Sequence, residues 1–141
     1  ALSDAGVPLN TPDTLSTSDQ VNWSLHVEGL DVTLSEAKRA HDRGSVLFID
    51  ARSSRSYAAG HIPGALSLPV GRFRSHGKKA LAGTPKGTRI ITYCSGSGCQ
   101  TSISLANMLT KQLSYERTKA FYGGWRAWVS AGYPIKKGSA P

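Results

Sequence analysis

Length, composition and charge already narrow the function of this chain. Its 141 residues and 15.0 kDa fit one domain with 39% hydrophobic residues for a core, which excludes a long multidomain enzyme and a disordered chain. Residues 51–141 carry 14 basic side chains and one acidic one, whereas residues 1–50 carry three basic and eight acidic ones. Because the basic residues stand singly or in pairs without a recognition-helix pattern, we expect a solvated basic face or steering of a small anionic substrate, and no nucleic-acid partner.

The first twenty residues are rich in Ser, Thr, Pro and Asp and show no periodicity. With a start at Ala1, this composition predicts a polar tether over residues 1–22, of the kind that follows a removed signal peptide. A domain is predicted over residues 23–136 and a short tail over residues 137–141. We expect a periplasmic or secreted location, with a cytoplasmic one left open, and no stretch of 18 apolar residues is present to span a membrane.

Helices and strands alternate along the rest of the chain. Thr33 and Glu36 form a capping-box pattern that opens a helix over LSEAKRAH, and Gly44 closes this helix. Further helices are predicted for a turn before Gly60, for part of the segment 71–87, for TSISLANMLTKQL at 101–113 and for GGWRAWVSAG at 123–132. Short apolar runs predict strands at residues 46–50, 66–70, 89–94 and 118–122. This alternation predicts an α/β domain whose parallel sheet is covered by helices on both faces.

The candidate chemistry lies where the strand at 89–94 meets the following helix. Cys94 stands at this turn, and ligand sites of open parallel sheets form at the carboxyl ends of the strands. Two glycines allow the loop backbone to curl with its N–H groups inward at a helix N-terminus, where they bind anions and lower the pKa of a thiol. We predict Cys94 as the catalytic nucleophile, with a small buried hydrophobe as the alternative. The predicted substrate-binding loop consists of Ser95, Gly96, Ser97, Gly98 and Cys99.

Cys99 is the second of two cysteines, which are too few for a disulfide scaffold. It is a bystander, a disulfide partner of Cys94, or a resolving thiol. Four intervening residues allow a bridge, although closing it would distort a loop whose N–H groups converge. The histidines at 26, 41, 61 and 76 show no paired ligand spacing, so neither a metal site nor a cofactor is indicated.

Three blocks of sequence resemble a single-domain rhodanese. They are FIDARSSRSYAAGHIPGALSLPV at 48–70, YC with its Gly/Ser loop before a helix, and FYGGWRAWVSAGYPI at 121–135. The blocks occur in the family's order, and the resemblance covers roughly residues 33–135. It implies a three-layer domain with a central parallel five-stranded sheet flanked by helices.

The resemblance also implies roles for single residues. Cys94 would be the persulfide-forming nucleophile. Asp50 and Arg52 match the family's Asp-x-Arg pair, in which Asp50 organises the site and Arg52 is a candidate for substrate binding; a structural ion pair is the alternative for both. His61 matches the histidine of GHIPGA and is a site-organising residue, which hydrogen bonding explains more readily than base catalysis.

The chain departs from the family's pattern in the loop. Many catalytic members carry an arginine five residues after the nucleophile, where this chain has Cys99, and no Arg or Lys occurs from residue 94 to residue 110. Anion binding would then depend on backbone N–H groups or on basic residues from elsewhere, such as Arg52, Arg72 or Arg74.

The predicted function is sulfur transfer. The Cys94 thiolate would take the sulfane sulfur of thiosulfate or a related small anionic donor, and a thiol or cyanide acceptor would remove it. If Cys99 reaches the persulfide, it would form a disulfide with Cys94 and release sulfide. The alternatives are a thiol–disulfide redox protein that serves a redox or sulfur-relay partner through both cysteines, and a catalytically weak rhodanese-like binding module. A phosphatase of the same fold is not expected, because Gln100 stands where its Cys-x5-Arg loop needs a guanidinium.

Overall fold

A computed structural model describes residues 31–96 and 99–141, and these residues alternate between helices and strands. The predicted tether lies outside the described residues. The five α-helices are α1 (Leu34–Arg43), α2 (Ser54–Ala59), α3 (Phe73–Ala80), α4 (Thr101–Leu113) and α5 (Gly124–Ser130). The four strands are β1 (Leu47–Asp50), β2 (Leu66–Ser67), β3 (Ile90–Tyr93) and β4 (Thr118–Phe121), and a 3-10 turn (Val70–Arg72) precedes α3.

All four strands are parallel, in the order β2-β1-β3-β4. The predicted α/β fold is therefore confirmed. The resemblance implied a fifth strand, and among the described residues its place beside β4 holds a single parallel bridge between Asp31 and Ala120. There the Val32 N–H donates to the Ala120 carbonyl at 3.0 Å.

The two faces of the sheet carry different helices, which gives the three layers that the resemblance implied. Phe48 and Ile91 point to the side where they pack with residues of α1 and with Trp128 of α5. Their chain neighbours Ile49 and Ile90 point to the opposite side, where they pack with residues of α3 and α4. Because side chains alternate along a strand, each short strand contributes to both halves of the core.

The start and the end of α1 agree with the sequence pattern. The Thr33 hydroxyl accepts from the Glu36 N–H at 3.1 Å, and the Glu36 carboxylate accepts from the Thr33 N–H at 2.8 Å. This reciprocal capping box satisfies two N–H groups that the first turn leaves without partners. Gly44 ends the helix with φ of +65°, a conformation that glycine adopts without penalty.

Strand β2 is shorter than predicted. The sequence indicated a strand over residues 66–70, but the strand ends at Ser67 and the chain turns into the 3-10 segment. Pro69 has no N–H to donate to a ladder, and its carbonyl instead accepts from the Arg72 N–H at 2.9 Å. This turn brings Arg72 and α3 to the carboxyl edge of the sheet.

The residues after α5 return to the region of α2. His61 and Lys136 form an antiparallel bridge with N···O distances of 2.8 and 2.9 Å, and the Gly138 N–H donates to the Ala58 carbonyl at 2.8 Å. These bonds place the last residues of the chain over α2. In the described residues no helix has the length and apolar character needed to cross a membrane.

Candidate active site

Cys94 directly follows β3 at the carboxyl edge of the sheet. Its strand neighbour Tyr93 is paired with Asp50 at the end of β1, and the Tyr93 carbonyl accepts from the Ala51 N–H at 2.9 Å. The Cys94 side chain is 3% exposed and packs on the α3 and α4 side of the sheet, in the same apolar cluster as Leu68 and Leu105. The central strands thus fix the predicted nucleophile at the position where parallel sheets form their sites.

A disulfide joins Cys94 to Cys99. Their Cα atoms are 6.6 Å apart, and the Cys99 N–H donates to the Gly96 carbonyl at 3.1 Å, which closes a turn within the loop. Cys99 is half-buried, Ser95 is exposed and Gly96 is buried, while Ser97 and Gly98 lie outside the described residues. The structure therefore puts Cys99 within covalent reach of Cys94, as both the disulfide and the resolving-thiol alternatives require.

The N-terminus of α5 holds the first part of this loop. The Trp125 N–H donates to the Cys94 carbonyl and the Arg126 N–H to the Ser95 carbonyl, each at 2.8 Å. These N–H groups belong to the first turn of a helix and have no partner within it. The loop carbonyls supply their partners, so α5 and the cysteine loop are bound to each other through backbone atoms.

Gly124 makes this close approach feasible. It has φ of +61°, and a Cβ placed on it would lie 2.5 Å from the Cys94 carbonyl oxygen and 2.9 Å from the Gly96 nitrogen. A side chain at this position would therefore force the cysteine loop and α5 apart. The conspicuous GGW of the third resemblance block has its physical explanation in this contact.

We expect Gly124→Ala to destabilise the protein more than Gly132→Ala does. Gly132 also has a positive φ, of +75°, but nothing lies within 4 Å of its added Cβ, so this variant isolates the backbone penalty of about 1–2 kcal/mol. Gly124→Ala adds the clash with the loop to the same penalty. The measurement is the free energy of unfolding in urea for both variants with the disulfide intact. An equal loss in the two variants would contradict the proposed role of the contact.

Asp50 and Arg52 form a buried ion pair beside the loop. Asp50 is fully buried, and its carboxylate accepts from the Arg52 Nη2 at 2.7 Å and from the Arg52 Nε at 3.0 Å. The same Nη2 donates to the Gly60 carbonyl at 2.6 Å. The pair thus ties the end of β1 to the end of α2, as the ion-pair alternative from the sequence requires. Substrate binding by Arg52 stays a prediction.

The Arg52 guanidinium is also enclosed by aromatic rings. It lies 4.7 Å from the ring centroid of Trp125 and 5.8 Å from that of Tyr93. Burial raises the pKa of Tyr93 far above its ordinary value, and the Asp50 charge raises it further, so the phenol stays protonated. Its oxygen accepts from the Ile62 N–H at 3.1 Å. Arg52 therefore supports Trp125, whose backbone N–H donates to the Cys94 carbonyl.

His61 is fully buried and directly follows Gly60, the C-cap of α2. Its ring is stacked on the Tyr57 ring with centroids 3.7 Å apart, and its Nδ1 lies 2.8 Å from the Tyr57 carbonyl oxygen. No hydrogen bond between His61 and Cys94 occurs in the described part of the chain. Its contacts are those of a residue that packs the α2 turn, and the predicted site-organising role stays a prediction.

Arg126 is a cation beside the loop that the sequence did not single out. Its Cβ and Cδ lie 3.3 and 3.9 Å from the point where a Cβ on Gly96 would stand, so its side chain passes over the loop. It is exposed, and its own N–H already holds Ser95. Its position in GGWRAW predicted only that it belongs to a helix. The contact between Arg126 and the loop, thirty residues earlier in the chain, results from the packing of α5 alone.

Of the four histidines, His41, His61 and His76 belong to the described residues and His26 does not. Among residues 31–96 and 99–141, no group of three His, Cys, Asp or Glu side chains could hold a metal ion. The site within these ranges consists of the cysteine pair, the loop backbone, the buried ion pair and the N-terminus of α5.

Known proteins share this sequence pattern and fold. The family model of the rhodanese-like domain matches residues 33–131. A sulfurtransferase of Allochromatium vinosum is 32% identical over 101 residues, which are 72% of this chain and 88% of that protein. An HTH-type transcriptional regulator of Mycobacterium tuberculosis is 30% identical over 108 residues, which are 77% of this chain but only 45% of the regulator.

Solved structures show the same fold. The human single-domain sulfurtransferase TSTD1 superposes with a TM-score of 0.58 at 25% identity, over 72% of this chain and 96% of that one. The BH2092 protein of Bacillus halodurans superposes with a TM-score of 0.68 at 24% identity, over 79% of this chain and 81% of that one. The match of the family model over most of the described domain, together with these folds, shows that the chain belongs to the rhodanese-like family.

Proposed function

We propose that this protein moves sulfane sulfur from thiosulfate, or a related small anionic donor, to a cyanide or thiol acceptor through a persulfide on Cys94. The position of Cys94 carries the proposal: it directly follows β3, a central strand of a rhodanese-like sheet, and lies in a loop that α5 holds through backbone hydrogen bonds. The similarity to the sulfurtransferase of Allochromatium vinosum supports the same reaction class. Arg126 beside the loop, and the basic excess of residues 51–141, favour an anionic donor.

The reaction would consist of two displacements. The Cys94 thiolate attacks the outer sulfur of thiosulfate, a sulfur–sulfur bond forms, and the bond to the sulfonate sulfur breaks to release sulfite. The Cys94 persulfide then gives its outer sulfur to cyanide, which leaves as thiocyanate, and the Cys94 thiolate returns. Because the donor product leaves before the acceptor binds, ping-pong kinetics are expected.

Cys99 provides a second route by which the Cys94 persulfide can lose its outer sulfur. Its thiolate can attack the inner sulfur of the Cys94 persulfide, so that the Cys94–Cys99 disulfide forms and hydrosulfide leaves. A dithiol reductant must then reduce the disulfide, and its own two thiols become oxidised, before the next donor can react. The Cys94–Cys99 disulfide of the structure is the bond that this branch would form, and the reduced protein would be the form that accepts sulfur.

A thiol–disulfide redox function is the second candidate, because the two cysteines are already bonded. In this alternative the pair exchanges two electrons with a partner protein, and no sulfane sulfur is involved. The same bond is compatible with the predicted periplasmic or secreted location, where disulfides persist. The two functions differ in whether the reduced protein gains a sulfur atom.

The test is the intact mass of the reduced protein after incubation with thiosulfate. We expect the reduced protein to gain the mass of one sulfur atom, or to release one hydrosulfide as the Cys94–Cys99 disulfide forms. The oxidised protein should gain none, because its Cys94 sulfur is blocked. Cyanide should remove the added mass and yield thiocyanate. Absence of a gain in the reduced protein, with reversible loss of two hydrogens and no release of sulfide or sulfite, would reject sulfur transfer and support the redox function.

A further inference from the structure

A cavity of about 370 Å³ lies at the edge of the sheet. It opens where β2 ends, between α2 and α3, and Cys94 and Cys99 do not line it. Its size falls within the range of about 300–1,000 Å³ that is typical of small-molecule sites. The proposed sulfur transfer leaves this cavity without a role.

One wall of the cavity is cationic. Arg72 at the end of the 3-10 turn and His76 and Lys79 of α3 line it together, since spacings of four and three residues place them on one side of this continuous helical segment. Neither Arg72 nor Lys79 forms an ion pair with a carboxylate among residues 31–96 and 99–141, and no acidic residue lines the cavity. The His76 Nδ1 lies 2.7 Å from the Ser75 hydroxyl, which fixes the ring.

Another part of the cavity is apolar. Tyr57, Leu68, Pro69 and Ala80 line it, and the Tyr57 hydroxyl already donates to the Ala65 carbonyl. Burial raises the pKa of Tyr57, so this phenol adds no negative charge to the wall. Leu68 belongs to the buried core and is therefore held in place by β1, α3 and α4. The cavity thus joins a rigid apolar floor to a cluster of cations.

We infer that this cavity binds a small organic anion whose apolar body lies on Tyr57 and Leu68 and whose carboxylate or sulfonate faces Arg72 and Lys79. A purely inorganic anion would leave the apolar wall uncovered, and a neutral apolar molecule would leave the cations without a partner. Charge complementarity therefore selects a ligand that has both parts. The inference does not depend on the proposed sulfur transfer, because no atom of the cavity belongs to the cysteine loop.

The test is a titration of the full oxidised chain with octanoate, followed by calorimetry and by NMR shifts of the α2 and α3 amides. We expect saturable binding with one ligand for each chain, and weaker binding at higher salt because the cations are exposed. The neutral probe 1-octanol should bind at least about tenfold more weakly, since it cannot make charge-assisted hydrogen bonds.

The variant Arg72→Gln/Lys79→Gln should weaken octanoate binding by about tenfold or more, with unchanged helix content. The control Lys111→Gln/Arg117→Gln removes two exposed charges that do not line the cavity and should leave the affinity within about twofold. An equal loss of affinity in both variants would show that octanoate binding depends only on the net charge of the chain, and this would overturn the proposal. Equal affinity for 1-octanol, or no saturable octanoate binding, would overturn it as well.

Discussion

The Cys94→Ser variant is expected to lose thiosulfate-to-cyanide sulfur transfer by at least about a thousandfold, because a serine hydroxyl is not ionised near neutral pH and cannot hold a persulfide. The two side chains are nearly equal in size, so the fold should be retained although the position is buried. The measurement is the initial rate of thiocyanate formation by the reduced protein, together with the intact mass after thiosulfate.

Cys99→Ser is the matched control in the same loop. It cannot form the disulfide, so we expect it to gain sulfur from thiosulfate and to form thiocyanate without prior reduction. It should release little sulfide, because the resolving attack on the Cys94 persulfide is missing. Sulfur uptake that survives Cys94→Ser and disappears in Cys99→Ser would reverse the assignment of the nucleophile.

The second large effect is expected at the buried ion pair. Asp50→Ala would leave the Arg52 guanidinium, whose side chain is 9% exposed, without its carboxylate, which should lower the free energy of unfolding by about 3–5 kcal/mol. The guanidinium also lies over Trp125, so the hold of α5 on the cysteine loop should weaken together with the stability. Urea unfolding of the oxidised protein measures the first effect, and the rate of thiocyanate formation measures the second.

Asp42→Ala serves as the control for this prediction. Asp42 forms an ion pair with Lys38 at 2.8 Å on the surface of α1, and its hydrogen bond with Lys38 lowers the pKa of Asp42. Because this pair is exposed to solvent and salt, its removal should change the stability little. The double variant Asp50→Leu/Arg52→Met should recover part of the loss, since apolar groups of similar size need no charged partner. An Asp50→Ala variant as stable as Asp42→Ala would show that the buried pair does not support the fold.

Much of the fold could be predicted because its signals are local. The capping box at Thr33 and Glu36 and the stop at Gly44 involve side chains within one helical turn of the atoms that they satisfy. A run of apolar residues predicts the strand before Cys94, because both faces of this strand are buried. Strand β2 was predicted too long because Leu68 and Val70 are apolar and pack in the core, although the last backbone bond to β1 runs from the Leu68 N–H to the Asp50 carbonyl.

The sequence predicted which residues belong to the candidate site, but not the disulfide and the contacts that join them. The sequence placed Cys94 and Cys99 in one loop and left their relation open, whereas the structure joins them. Arg126 gave no signal, because its closeness to Gly96 depends on how α5 packs against β3. The carbonyls of the loop are held by α5, which the spacing within the loop alone could not indicate.

The sequence by itself determined the order of helices and strands and a cysteine at the carboxyl end of a central strand, because both depend on patterns within about a dozen neighbouring residues. It also indicated the family, through the resemblance of three blocks that occur in the family's order. Only the tertiary structure decided that Gly124 touches the Cys94 loop, that Arg52 is enclosed by an ion pair and two rings, and that Arg72, His76 and Lys79 share a cavity with Tyr57. These contacts join residues far apart in the chain, and they form only when the sheet and its two helical layers are packed together.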